Sequence, residues 1–494
     1  MIRTHALLGL LLIAAIAGGA QAAPPNILFL HADDQRPDTI AALGNPAIRT
    51  PTLDALAARG LSFQNAYNFG GNSGAVCTPS RNMMLSGKTF FHYSRLVNPK
   101  NGDVFRPDAR DPAAAEAVAA KMSAGYKWDI LAPGTPPNFP TSLAAAGYQT
   151  YHHGKKGNTA THIQACFEIN KYLKNDEQDR LCGEPGKEIV DEAITFLETR
   201  SQSEQAQARP FFMYLAFGNP HDPRVAAEEY RAQYKTEAIP LPKNYLPVHP
   251  FNNGELTVRD ERLAPWPRSE AEIRKQLHDY YATITAFDHH LGRLMETVRD
   301  LKLDENTIVI FSADQGLAMG SHGLMGKQNL YEHSTRAPLV IAGPKIPGGR
   351  TGAMVYLMDI YPTVCELVGA ATPEGIDGRS FAKVVRGEAT THRDAIFCAY
   401  QGVQRVLRDE RYKLIRYPRI NRSQLFDLVD DPNELNDLAQ DPAQKERVER
   451  MLAAMKTRQL EFGDWMPLST ESPDAEEFDF KNVPPAEPRK KRRN

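Results

Sequence analysis

Asn26-Ile27-Leu28-Phe29-Leu30 is an apolar run that ends abruptly at His31-Ala32-Asp33-Asp34. The same design recurs further along. Phe211-Phe212-Met213-Tyr214-Leu215-Ala216-Phe217 runs into Gly218-Asn219-Pro220-His221, and Thr307-Ile308-Val309-Ile310-Phe311 ends at Ser312-Ala313-Asp314-Gln315-Gly316. These runs lack apolar–polar alternation, as expected of strands covered on both faces in a largely parallel sheet. Thr52 to Arg59 has apolar residues at helical spacing and stops at Gly60, a good helix terminator. Glu270 to Leu301 is long and amphipathic, with Leu277, Tyr281, Ile284, Phe287, Leu291, Leu294 and Val298 on one face. Strands alternating with helices predict an α/β fold around a mostly parallel sheet. Ligands in such folds bind beyond the carboxyl ends of the strands, which is where the Asp and His clusters fall.

The chain has 494 residues, enough for one large domain and a smaller one. Its 58 Lys+Arg nearly balance 60 Asp+Glu, which argues against a nucleic-acid or membrane-surface binder. Arg3 and His5 precede an apolar run from Ala6 to Ala17, and Ala20-Gln21-Ala22 fits a signal-peptidase site. The expectation is a signal peptide over 1–22, export to the periplasm or medium, and no membrane span after cleavage. With export, a bridge between Cys166 and Cys182 is plausible. Cys365 and Cys398 sit in apolar stretches and read as core residues.

Near Val384 the character changes. Ala395 to Ala399, Gln404 to Leu407 and Tyr412 to Tyr417 read as short strands of a small antiparallel sheet. A polar loop with Leu425-Phe426-Asp427-Leu428 and Asp431-Pro432 follows, then a helix from about Pro442 to Phe462. The predicted units are 23–383, then 384–466 with the small sheet and helix. The last, 467–494, is a flexible tail rich in proline and charge, with a basic end.

Two adjacent carboxylates at a strand end, Asp33 and Asp34, repel each other unless a cation joins them, and hard divalent ions take carboxylate oxygens readily. Asp314-Gln315-Gly316 adds a carboxylate and an amide oxygen at a second strand end. Alone, each cluster reads more readily as a helix cap or an exposed turn than as a metal site; together they could complete an oxygen cage of the kind calcium prefers. Cys77-Thr78-Pro79-Ser80-Arg81 stands apart, because a structural cysteine does not ordinarily sit in a loop leading to an arginine. The proline favours a helix start, which presents backbone N–H groups to an anion, and Arg81 adds a permanent planar cation.

Cys77-x-Pro79-x-Arg81 resembles the maturation signature of type I, formylglycine-dependent sulfatases of the alkaline phosphatase superfamily. The resemblance runs from Asn26 to about Phe462. It takes in Asp33-Asp34, Gly154-Lys155, the His221 segment, Asp314-Gln315-Gly316, Gly326-Lys327-Gln328-Asn329-Leu330-Tyr331-Glu332, and Tyr412-Lys413 with Leu425-Phe426-Asp427-Leu428. It implies an alkaline-phosphatase-like fold with 23–383 as catalytic domain and a smaller C-terminal α+β subdomain. It further implies that a separate formylglycine-generating enzyme oxidises Cys77, whose hydrated aldehyde attacks sulfur and whose second hydroxyl later expels sulfate. Asp33, Asp34, Asp314, Gln315 and an oxygen from residue 77 would bind one Ca2+. Arg81 would hold the formylglycine and the carboxylates in place, Lys155 and Lys327 would clamp the sulfate, and His221 would protonate the departing alcohol.

The sequence departs from the family pattern at two points. Gln315 stands where Asn or His is common. Gly157 and Asn158 stand where a histidine usually follows the Gly-Lys lysine, leaving His162, His153, His322 or Lys155 alone to compensate. The expected substrate is a sulfate monoester, preferably of a sugar or oligosaccharide, with Leu96 to Asn138 and Arg224 to Pro267 shaping the pocket. The rivals are phosphonate monoester or phosphodiester hydrolysis, and a non-catalytic binder of sulfated glycans.

Overall fold

The computed structural model describes residues 23–98, 100–105, 113–130 and 137–483. The segment 1–22, expected to be a signal peptide, and the basic end of the expected tail, 484–494, lie outside the described residues.

The large sheet has eight strands: β1 (Asn26–Ala32), β2 (Leu61–Tyr67), β3 (Gln149–Gly154), β4 (Ile169–Tyr172), β5 (Phe211–Ala216), β6 (Thr307–Ala313), β7 (Leu339–Ala342) and β8 (Gly349–Tyr356). Their spatial order is β8-β2-β7-β6-β1-β5-β3-β4, and every pairing is parallel except the two made by β7. All residues of β5 and β6 are buried, which is why neither alternates in sequence. The Glu270–Asp300 helix packs one face on the core through Leu291, Leu294 and Val298, and Ser269 caps its start by accepting from the Glu272 N–H at 3.2 Å.

The helix predicted before Gly60 spans Pro51–Arg59. Gly60 does not close it in the left-handed conformation, since its φ is −112°. A Cβ there would lie 2.8 Å from both the Ala342 Cβ and the Ile341 carbonyl oxygen. Close approach of β7, rather than a left-handed turn, accounts for the glycine.

The C-terminal sheet contains strands Ile396–Tyr400, Gln404–Arg408, Tyr412–Tyr417 and Arg422–Asp427, joined in parallel at one edge by Gly70–Gly71. Arg422–Asp427, read from sequence as part of a polar loop, is a fourth antiparallel strand, with Leu425 and Phe426 buried in its core. A single turn at Pro442–Gln444 leads into the last long helix, Lys445–Glu461. The tail expected to be flexible is anchored as far as it is described. Asp474 N–H donates to Arg419 O at 2.8 Å, Asn252 N–H donates to Glu476 O at 2.7 Å, and Phe480 packs near Trp266.

The stretch after Leu96 is not a plain loop. Ser94–Val97, Val104–Phe105 and Lys127–Ile130 form a small sheet beside the Ala114–Ser123 helix. Cys166 and Cys182, expected to have a plausible bridge, are free thiols. Each is engaged locally, Cys166 with Asn138 and His162 and Cys182 with Asp179 and Glu184. Cys365 and Cys398 are buried, and burial pushes both thiols up to about 12. No helix among the described residues is long and apolar enough to cross a membrane.

Candidate active site

Parallel neighbours end on the same side of a sheet. The adjacent strands β6, β1, β5 and β3 therefore deliver Asp314-Gln315, Asp33-Asp34, Asn219-Pro220-His221 and Lys155 to one edge. Asp33 N–H donates to Asn219 O at 2.9 Å, and Lys155 N–H donates to Ala216 O at 3.0 Å, tying the strand ends together. Gly154 permits the second contact, because a Cβ there would run into the Ala216 carbonyl and lie 2.6 Å from its Cβ. Asp34 adopts a left-handed φ of 62°, a conformation that costs a non-glycine residue about 1–2 kcal/mol. Its N–H donates to Asp314 Oδ1 at 3.0 Å and its carbonyl accepts from Tyr280 Oη at 2.6 Å, which holds the turn.

Cys77 opens the Cys77–Ser86 helix facing these carboxylates and is fully buried. Its Sγ lies 3.1 Å from Asp33 Oδ1 and 3.7 Å from Asp34 Oδ1. It accepts from Gln315 Nε2 at 3.0 Å and from Lys327 Nζ at 3.1 Å. One turn on, Arg81 Nε donates to Asp314 Oδ2 at 3.0 Å, and its Nη2 donates to Phe217 O at 3.1 Å and Ala32 O at 3.3 Å. Lys327 Nζ bridges both oxygens of Asp34 at 2.7 and 2.8 Å, and Lys155 Nζ pairs with Asp33. All nine residues singled out from sequence (Asp33, Asp34, Cys77, Arg81, Lys155, His221, Asp314, Gln315 and Lys327) thus fall in one cluster.

Three carboxylates face three side-chain cations in this cluster. Burial pushes the Asp33 carboxyl up, but Lys155 and Arg81 outweigh it and hold Asp33 well below the usual range. Burial together with Asp33 raises Asp314 to about 7. Burial and then the Asp314 and Asp33 charges push the Cys77 thiol well above its ordinary value. An unmodified thiol here stays protonated, and the thiolate is the nucleophilic form.

The donor set fits a hard cation. Asp33, Asp34 and Asp314 each offer a carboxylate oxygen within 4.8 Å of one another and of Cys77 Sγ. Gln315 Oε1 is buried without a hydrogen-bond partner among the described residues, while its Nε2 points at Asp34 Oδ1 at 2.6 Å. Amide orientation follows the hydrogen-bond network, so an ion among these carboxylates would turn Oε1 inward. Oxygen donors of this kind suit calcium or magnesium.

His221 is the most exposed of the nine, at 9%. Its Nδ1 donates to Asp222 O at 2.7 Å, and its Nε2 lies 3.6 Å from Asp34 Oδ2. Burial and the Lys327 ammonium hold the imidazole below its ordinary value against the pull of Asp34, Asp33 and Asp222. Sequence reasoning missed what stands behind it. Arg259 donates to both oxygens of Asp222, at 2.7 Å for Oδ1, and pairs with Asp260 Oδ1 at 2.8 Å. Asp260 Oδ2 lies 4.0 Å from Lys327 Nζ and accepts from Gln328 Nε2 at 2.8 Å. This chain of charges links His221 to Lys327. Asp222 was visible beside His221, but nothing in the 224–267 segment marked Arg259. The histidines considered as replacements after Lys155, namely His153, His162 and His322, make no hydrogen bond or ion pair with the cluster among the described residues.

Residues 25–370 match the protein family described as Sulfatase, and residues 320–461 match the one described as N-sulphoglucosamine sulphohydrolase, C-terminal. The chain is 26% identical over 464 residues to an arylsulfatase of Clostridium perfringens, covering 86% of this chain and 92% of the relative. It is 25% identical over 528 residues to an N-acetylglucosamine-6-O-sulfatase of Bacteroides thetaiotaomicron, covering 89% and 87%. A solved protein in complex with its substrate, D-glucosamine-2-N,6-O-disulfate, superposes with a TM-score of 0.69 at 22% identity, over 89% of this chain and 98% of that one. At that identity the likeness speaks for the fold, an alkaline-phosphatase-like sheet flanked by helices with a C-terminal subdomain.

Proposed function

The chain belongs to the sulfatase family and hydrolyses sulfuric esters, and from that premise we propose that its nucleophile derives from Cys77 and that it removes sulfate from a sulfated sugar. The observation that carries the first part is the environment of Cys77. It sits at a helix start between two carboxylates, an amide and Lys327, with its thiol held protonated. A protonated thiol is a poor nucleophile. A formylglycine at this position, made by a separate maturation enzyme, answers that difficulty with a hydroxyl. The sugar assignment rests on the relatives, among them an N-acetylglucosamine-6-O-sulfatase.

Asp33, Asp34, Asp314 and Gln315 would hold a divalent cation, taken as calcium from the all-oxygen donor set. When bound, the ion lowers the pKa of a coordinated hydroxyl and neutralises charge on the sulfuryl group. Arg81 fixes Asp314 and spans the β1 and β5 ends through backbone carbonyls, so it positions the helix carrying residue 77. Lys327 and Lys155 are paired with Asp34 and Asp33 in the free protein. With those carboxylates engaged by a cation, Lys327 and Lys155 would be free to face non-bridging sulfuryl oxygens, where charge grows in the transition state.

His221 delivers the proton to the leaving alcohol from Nε2, because Nδ1 is committed to the Asp222 carbonyl. Its lowered proton affinity leaves it neutral in the free site, and an arriving sulfate anion favours proton uptake. Arg259 and Asp222 orient the ring. The residues of the Arg3 to Ala22 segment support export of the chain.

The test compares turnover of an N-acetylglucosamine 6-sulfate with that of a phosphonate monoester, using matured, calcium-loaded protein. Preference for the sulfate ester supports this function. Faster turnover of the phosphonate ester overturns it in favour of the rival chemistry.

A further inference from the structure

A second cluster shares no residue with the first. His322, His333 and Glu434 each bring one donor atom within 4.8 Å of the others. All are buried, at 6%, 6% and 2% exposure. Among the described residues His333 has no hydrogen-bond partner for either ring nitrogen, although buried polar side chains are nearly always hydrogen-bonded. His322 Nε2 lies 4.0 Å from Glu434 Oε2, and its ring stacks on Tyr331, which packs against His333 in turn. His322 and Glu434 both take left-handed backbone conformations, with φ of 52° and 57°. Strain of this kind persists where the surroundings enforce it.

We propose that His322, His333 and Glu434 form a second metal site, for a borderline divalent cation of the zinc type. Two imidazoles and one carboxylate are the donors such an ion selects, whereas calcium prefers an all-oxygen set. Glu434 has capacity to spare. Its Oε1 pairs with Lys413 at 2.8 Å and its Oε2 accepts the Glu332 N–H at 2.8 Å, which leaves a lone pair on Oε2.

Asn244 Nδ2 lies 3.0 Å from His322 Nε2 and also donates to Asn433 O at 2.9 Å, so an ion would displace only the contact to His322 and leave its fourth position to solvent. Zinc–ligand bonds of about 2.0–2.2 Å require the donors to close in slightly on the ion. Access is provided by a cavity of about 410 Å³ lined by Asn244, His333 and Glu434. Arg36, in the same cavity, is already paired with Asp38. The site ties the segment carrying Lys327, between His322 and His333, to the loop after the C-terminal sheet.

The experiment strips the full-length protein with chelator, restores calcium, and titrates Co2+ as the spectroscopic probe. The expected result is one tightly bound equivalent with visible ligand-field absorption and a raised melting temperature. It persists in Asp33→Asn and is lost in both His333→Ala and Glu434→Gln, two variants that perturb the fold differently. Absence of binding to the wild-type chain overturns the proposal. So does Co2+ that is retained by both cluster variants, or that disappears with Asp33→Asn while His333→Ala keeps it.

Discussion

Replacing Lys327 with methionine removes one charge from the proposed site and shortens the unbranched side chain by a single heavy atom. Lys327 is 4% exposed, and its ammonium sits 2.7 and 2.8 Å from the Asp34 oxygens and 3.1 Å from Cys77 Sγ. At about 3 Å and an effective dielectric near 20, a unit charge pair is worth roughly 5 kcal/mol. Only the part that strengthens in the transition state accelerates the reaction. Removing one preorganised donor to a developing oxyanion costs about 10²–10³ in rate, or ~2.7–4 kcal/mol. Lys327→Met is therefore expected to lower kcat/KM on a sulfate monoester by about 10²–10³, mostly through kcat. Calcium affinity should be unchanged or tighter, because Asp34 loses a competing cation. The assay pairs steady-state kinetics with calcium titration of the same preparation, and circular dichroism checks the fold. A loss below about 10-fold, or full recovery at raised calcium, would refute the assignment of Lys327 to the sulfuryl oxygens.

Arg259→Gln leaves Asp222 without its two-point partner, so the ring of His221 loses its orientation; kcat should fall about 10-fold, as for other outer partners of catalytic groups, with KM little changed and the pH profile displaced. Gly154→Ala drives a methyl into the Ala216 carbonyl; overpacking of this kind costs about 1–3 kcal/mol, and activity should fall further than urea unfolding accounts for, because Lys155 moves with the strand. Asp359 is fully buried, and although burial raises its carboxyl, Arg393 outweighs this and brings it from 3.8 to about 2. A depressed carboxyl contributes stability above its ordinary value that is lost as pH falls through the folded value. Asp359→Asn should therefore cost about 2 kcal/mol near neutral pH in urea unfolding, and the gap to wild type should close toward about pH 2.

The strands that carry the site were legible because each is buried on both faces and stops at a charged cluster. Asp33-Asp34, His221 and Asp314-Gln315 could be placed at strand ends from sequence alone. Their convergence needed the sheet order, which brings β6, β1, β5 and β3 side by side. The left-handed turn at Asp34 was not legible, because a Tyr280 hydroxyl some 246 positions away helps hold it. Arg422–Asp427 was hidden by its polar flanks, since only pairing with Tyr412–Tyr417 makes it a strand. The tail resembled a flexible one by composition, yet its anchors are backbone hydrogen bonds to Arg419 and Asn252, which composition does not register. Arg259 was silent for a related reason, as one arginine in a charged loop that gains meaning only through Asp222 and Asp260.

The most direct test is the mass of the peptide containing residue 77, measured on protein whose specific activity is known. The expected result is an aldehyde in place of the thiol, trapped by a hydrazide reagent, in a fraction that rises in proportion to turnover across preparations with and without the maturation enzyme. Full sulfate-ester hydrolysis by protein whose Cys77 is an intact thiol would contradict the account.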